Sequence, residues 1–182
     1  GTQSWMGENL KTMYFSNGDP IDYAANSTDW TLNSASPVVT FPQDDFWTGQ
    51  TYGNLYNYNA VFDPRNICPI GWRVPTDADW DILVNFLGGE PIAGGKLKNE
   101  GTGVWMSPNE GATNLSGFNA LPTGLRNDSD GNFEYFGERA YFWSSTAQSA
   151  LSTWSRSLYY NNTMVTRSTS NNTVGYNVRS IK

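Results

Sequence analysis

Side chains that could do covalent or acid–base chemistry are unevenly supplied in this chain. Its 182 residues include no histidine and one cysteine, Cys68, against 17 acids, 10 tyrosines and 8 tryptophans. Without histidine there is no Ser-His or Cys-His pair, and a lone cysteine excludes an intramolecular disulfide and a cysteine-rich zinc site. Cys68 stands between Ile67 and Pro69, where a buried small hydrophobe is expected. Asp44, Asp45, Glu134 and Glu138 are the right types for a glycosidase pair, but hydrolysis requires a set carboxylate separation that their spacing does not specify. The run Asn127-Asp128-Ser129-Asp130-Gly131-Asn132 invites a calcium reading. An EF-hand register would, however, put the first ligand on Arg126, so a hairpin turn is the preferred reading. The expectation is a protein that is not an enzyme, with no catalytic residue, metal or cofactor.

Chemistry of another kind is concentrated near the end. Residues 159–173 are almost purely Tyr, Asn, Ser, Thr and Arg. Those types dominate antibody binding loops, where Tyr and Arg supply contact area at modest entropic cost and Asn and Ser adapt their hydrogen bonds. One reading is a ligand-binding face made by Tyr159, Tyr160, Asn161, Asn162, Arg167, Asn171 and Asn172, with Trp143 and Trp154 supporting or extending it. The other is a solvated hairpin with Asn-rich turns. Trp30, Trp47 and Trp105 are further stacking candidates, each with core packing as the preferred role.

The elements that position these residues are marked most clearly at Cys68-Pro69-Ile70-Gly71-Trp72-Arg73-Val74-Pro75-Thr76-Asp77-Ala78-Asp79-Trp80. The two prolines stiffen an irregular segment. Thr76 reads as an N-cap with Asp79 as its capping-box partner, and Trp80, Leu83, Val84 and Leu87 follow at helical spacing before Gly88-Gly89, predicting a helix over about 77–87. Residues 20–50 read as a long ordered loop pinned by aromatics, 52–63 as a strand by its period-two alternation, and 92–97 as a short helical or extended piece. Strands are predicted near 4–17, 118–126, 133–136, 140–145, 153–159 and 174–181. One α+β domain over 1–182 results, with one helix, antiparallel strands and long ordered loops.

Composition narrows the setting. Aromatic content of 15% against charged content of 15% suits a loop-rich extracellular protein. A net charge of −6 argues against nucleic acid as a partner. No run approaches the roughly 20 apolar residues that span a bilayer. The opening Gly1-Thr2-Gln3 reads as what remains after a targeting segment is removed.

Ordered blocks along the chain carry a resemblance: Trp5-Met6-Gly7-Glu8-Asn9-Leu10, Gly53 to Val61, Cys68 to Trp80, Gly95-Lys96-Leu97-Lys98, Ser116 to Arg126, Phe142-Trp143-Ser144-Ser145-Thr146 and Gly175-Tyr176-Asn177-Val178-Arg179. On these the chain is similar to the Fibrobacter succinogenes major paralogous domain (FISUMP) family of secreted and surface proteins of Bacteroidetes. The resemblance implies a C-type-lectin-like fold of the formylglycine-generating-enzyme branch. The reactive cysteine pair of that branch is missing here, as are the paired calcium motifs of sugar-binding lectins. The implied function is an adhesin-like recognition module, secreted or anchored at the outer membrane as a lipoprotein. Its partner would be a glycan or a host or bacterial surface protein, and its 159–173 segment could be diversified by a retroelement. A structural or assembly domain of a larger surface protein or appendage is the alternative.

Overall fold

The computed structural model describes residues 1–182. It is α+β, with five α-helices rather than one: α1 Ser27–Asn33, α2 Phe46–Tyr52, α3 Tyr58–Phe62, α4 Asp77–Phe86 and α5 Glu90–Leu97. Strands β1 Asp22–Tyr23, β2 Val38–Thr40 and β3 Leu55–Tyr56 form a small sheet in which β1 and β2 run parallel and β2 and β3 antiparallel. β4 Leu125–Arg126 and β5 Phe133–Glu134 form a hairpin over the 127–132 turn, as expected. β6 Arg139–Ala147, β7 Ser152–Tyr159 and β8 Thr166–Asn171 close the chain as an antiparallel sheet in that order.

The helix expected over 77–87 is α4. Thr76 Oγ1 accepts from the Asp79 amide at 3.2 Å and the Asp79 carboxylate accepts from the Thr76 amide at 2.7 Å, which completes the capping box. The helix stops before Gly88 and Gly89, both at positive φ. α5 carries Gly94 because its backbone lies against Met164. A Cβ there would come within 2.2 Å of the Met164 carbonyl oxygen.

Three expectations need correction. Residues 20–50 are not a loop but hold α1, β2 and α2. The Asn and Asp that suggested loop are N-caps, Asn26 accepting from the Asp29 amide at 2.9 Å and Asp45 from the Thr48 amide at 2.6 Å. Helices of seven residues are too short to show a clear 3.6-residue period. The strand expected over 52–63 shrinks to β3, because Asn57 caps α3 through Ala60 N while also accepting from Val38 N. Residues 174–181 and the first 17 form isolated bridges in place of strands, with Ile181 pairing both Trp5 and Arg73 and Asn177 pairing Phe142.

β6 divides two cores. Tyr141 and Trp143 face a cluster with Tyr56, Tyr58, Val61, Ile67, Tyr176 and Val178. Ala140 and Phe142 face another with Trp80, Leu83, Leu87, Trp105, Phe118 and Leu158. Cys68 lies in the first core, its thiol pushed up to about 11 by burial, and accepts from Ser180 Oγ at 3.1 Å. Arg179, fully buried, donates to Asn9 Oδ1 and to the carbonyls of Met6 and Phe118, which ties the last segment to the first.

Candidate recognition surface

Antiparallel pairing of β6, β7 and β8 sorts their side chains onto two faces. Register places Arg139 opposite Tyr159, Tyr141 opposite Ser157, and Trp143 opposite Ser155. Ser157, Ser155 and Thr153 lie in turn opposite Thr166, Ser168 and Ser170. One face therefore begins in the first core at β6 and reaches solvent at β8 as a floor of hydroxyls. The other carries Trp154, Arg156 and Leu158 from β7 with Thr169 and Arg167 from β8, and it packs toward α4.

On the hydroxyl face, three tyrosines, Tyr135, Tyr141 and Tyr159, gather around Arg139. Its guanidinium lies 3.7 Å from the centre of the Tyr135 ring and 5.1 Å from that of Tyr159, and Nη1 donates to Tyr141 Oη at 3.2 Å. Tyr141 stacks on Tyr176 with ring centres 4.8 Å apart and planes 7° apart. Tyr176 Oη is 2.9 Å from Ser170 Oγ, and Ser157 Oγ donates to Tyr159 Oη at 3.2 Å. Burial holds the Tyr141 and Tyr176 hydroxyls above their usual range, so both stay protonated. Tyr135 has φ of +59°, a conformation that bulky residues rarely adopt and that costs on the order of 1–3 kcal/mol. That backbone holds an exposed ring over Arg139.

On the opposite face both guanidiniums are paired with carboxylates. Arg156 donates to Asp77 Oδ1 and to Asp81 Oδ1, each at 2.6 Å. Arg167 donates to Asp77 Oδ2 at 2.7 Å while its guanidinium carbon lies 3.3 Å from the centre of the Trp154 ring. Burial opposes ionisation of Asp77, but the hydrogen bonds from Arg167 and Arg156 outweigh it and hold the carboxyl below its ordinary range.

The expected site residues do not converge. Trp143 is 0% exposed and donates from Nε1 to the Tyr56 carbonyl at 2.7 Å, so it supports the sheet from within. Trp154 and Arg167 stack on the α4 side, whereas Tyr159 lies on the hydroxyl face. Tyr160, Asn161 and Asn162 occupy the turn after β7. There Tyr160 packs on the second core and the Asn162 carbonyl accepts from Lys98 Nζ at 2.8 Å. Asn171 and Asn172 sit at the far end of β8, about 20 Å away by strand rise. Asn171 donates to Asp128 at 3.0 Å, and Asn172 accepts from Thr153 Oγ1 at 2.9 Å. The residues missed are Tyr135, Arg139, Tyr141 and Tyr176 and the serines of β7 and β8. Period-two reading of 153–159 groups Ser155, Ser157 and Tyr159, but nothing local links them to Arg139.

The remaining candidates are engaged elsewhere. Asp44 accepts from Arg126 at 2.6 Å, Asp45 caps α2, and Glu134 accepts from Asn127 at 2.7 Å. Trp30 and Trp105 are buried, whereas Trp47 is 73% exposed and meets only the Phe46 ring, edge-on at 5.2 Å. An apolar cleft of about 880 Å³ lies between the first six residues and α4, lined by Trp5, Ile82, Phe86 and Leu115 among others. No helix is long and apolar enough to cross a membrane.

No curated protein and no solved structure matches the chain. The family model described as the Fibrobacter succinogenes major domain does match, over residues 1–182. With the whole length covered, the chain belongs to the Fibrobacter succinogenes major domain family.

Proposed function

We propose that this chain is a non-catalytic extracellular recognition module, adhesin-like, which meets its ligand on the hydroxyl-and-tyrosine face of β6–β8. One observation carries the reading: on that face a reachable guanidinium and several tyrosine and serine hydroxyls meet one another and no carboxylate. Fixed tyrosines around polar groups that retain hydrogen-bonding capacity suit recognition, since little side-chain entropy is lost on contact. The strained Tyr135 backbone supports the same reading.

The finer fold belongs to this proposal. We read it as C-type-lectin-like, supported by the pairing of the first segment with the last at Trp5 and Ile181 and by the closing three-stranded sheet. A secreted or outer-membrane-anchored setting follows from the same reading. Retroelement diversification of 159–173 also fits, because β8 shows polar side chains to solvent on both faces, where substitution costs little folding energy. A near-identical template copy beside a reverse transcriptase gene would support that part, and a neighbourhood lacking both would remove it.

The test is a glycan and surface-protein array probed with the native chain and with a Tyr135→Ala/Tyr159→Ala variant. Binding by the native chain that the variant loses, with folding retained, is the expected result. Hits that survive the double substitution would reject this face. A structural or assembly role is the second reading, favoured by the apolar cleft beside α4. It predicts no hits and self-association that weakens on Phe86→Ser.

A further inference from the structure

The seven arginines differ sharply in how their charge is met. Arg65, Arg73, Arg126, Arg156 and Arg167 each pair with an aspartate at 3.2 Å or less. Arg179 is fully buried on carbonyls and Asn9. Arg139 alone is both reachable from solvent and without a carboxylate, and this in a chain carrying a net charge of −6. Its single hydrogen bond is from Nη1 to Tyr141, so Nε and Nη2 have no protein acceptor. Tyr135 and Tyr159 flank the guanidinium, their ring centres 3.7 and 5.1 Å from its carbon.

A planar guanidinium presents parallel donors that match a carboxylate's two oxygens, a pairing stronger and more directional than one made by an ammonium. Beside it runs the row of partly exposed hydroxyls of Thr166, Ser168 and Ser170 on β8, backed by the buried Ser155 and Ser157 of β7. Alternate β8 hydroxyls are about 7 Å apart by strand rise, and each can donate and accept. Sugar hydroxyls do the same, and tyrosine rings offer faces for sugar C–H groups. A peptide added along the β8 edge would need pockets for alternate side chains, and β8 offers Thr, Arg, Ser, Thr, Ser and Asn with no apolar pocket between them.

We infer that the tyrosine face binds an acidic glycan, with Arg139 clamping the carboxylate of a uronic- or sialic-type sugar and the β8 hydroxyls of Thr166, Ser168 and Ser170 taking the neighbouring ring. The inference rests on the reading of this face as the ligand surface and names the chemistry it selects.

The test uses the whole chain in solution with a short oligogalacturonate, its carboxyl-reduced neutral counterpart, sialyllactose and a poly-glutamate peptide. Affinity is followed by calorimetry, and the binding site by NMR signals of Arg139 and the tyrosines. Expected are binding of at least one acidic saccharide with those signals moving, and a loss of tenfold or more on carboxyl reduction or in Arg139→Gln. Arg139→Lys, which keeps the charge and loses the fork, should recover only part of that loss. Thermal unfolding of both variants controls for folding. Equal binding of the acidic and reduced saccharides through the same tyrosines would overturn the carboxylate clamp and leave the recognition face standing. Poly-glutamate binding in preference to either acidic saccharide would overturn the glycan assignment. Silence towards every probe at millimolar concentration would overturn the inference without touching the array test of the face itself.

Discussion

On the α4 side of the closing sheet, Arg156 and Arg167 share the Asp77 carboxylate, and Arg167 lies flat on Trp154. On the other side, Arg139 lies between Tyr135 and Tyr159 and meets no acid. Both sides combine arginine with an aromatic, the composition usually taken as a sign of binding. Only on the second side is a solvent-reachable guanidinium free of any carboxylate. Carboxylate pairing, rather than residue type, distinguishes the two sides.

The largest expected effect breaks the framework side. Asp77→Ala leaves Arg156 nearly enclosed with half its carboxylate pairing gone and should cost about 3 kcal/mol of stability in denaturant unfolding. A loss below about 1 kcal/mol would mean that Asp81 alone satisfies Arg156.

Acid should probe the same side next. Arg73 and Thr76 hold Asp79 at about 2, and Asp77 is also lowered. Carboxyls depressed in the folded state bind protons less readily there than in the unfolded chain. Their contribution is therefore fully present above about pH 4, the unfolded carboxyl range, and is lost as pH falls toward 2. A thermal midpoint that stays flat between pH 4 and 2 would contradict these ion pairs.

On the recognition side the effect should move from stability to affinity. Arg139→Gln is expected to weaken ligand binding at least tenfold, about 1.4 kcal/mol, while stability falls by about 1 kcal/mol through the lost cation–π contacts. A large loss of stability with unchanged binding would reverse the roles of the two faces.

The smallest effect is expected of Arg167→Ala. This removes a half-exposed pair and a cation–π contact, should cost about 1 kcal/mol or less, and should leave array binding intact. Lost binding in this variant would return Arg167 to the contact surface where its sequence context first placed it.

Legibility varied with how local the physics was. The Thr76–Asp79 capping box, the helix to Phe86, the glycine stop, the 127–132 hairpin and strands β6 and β7 all rest on neighbours within a few residues, and each was readable. β8 was hidden because its six residues carry no apolar alternation, and it is held by its ladder to β7. α1 and α2 were hidden because their caps are the same Asn and Asp that signal turns. The tail's composition drew attention to the closing sheet, but nothing in 159–173 shows that Tyr160 to Asn162 and Asn171 to Asn172 end up at opposite ends of β8.

What the sequence determined by itself was the inventory and the local grammar: no histidine, one thiol without a cysteine partner, an aromatic- and amide-rich tail, and caps and turns set by adjacent residues. Which charges are left over depends on the tertiary fold. Arg139 meets tyrosines from β7 and from the turn before β6, whereas Arg167 meets Asp77, 90 residues earlier in the chain. Ion pairing depends on distance in space, and those distances are set by the strand register and the docking of α4 rather than by any spacing along the chain.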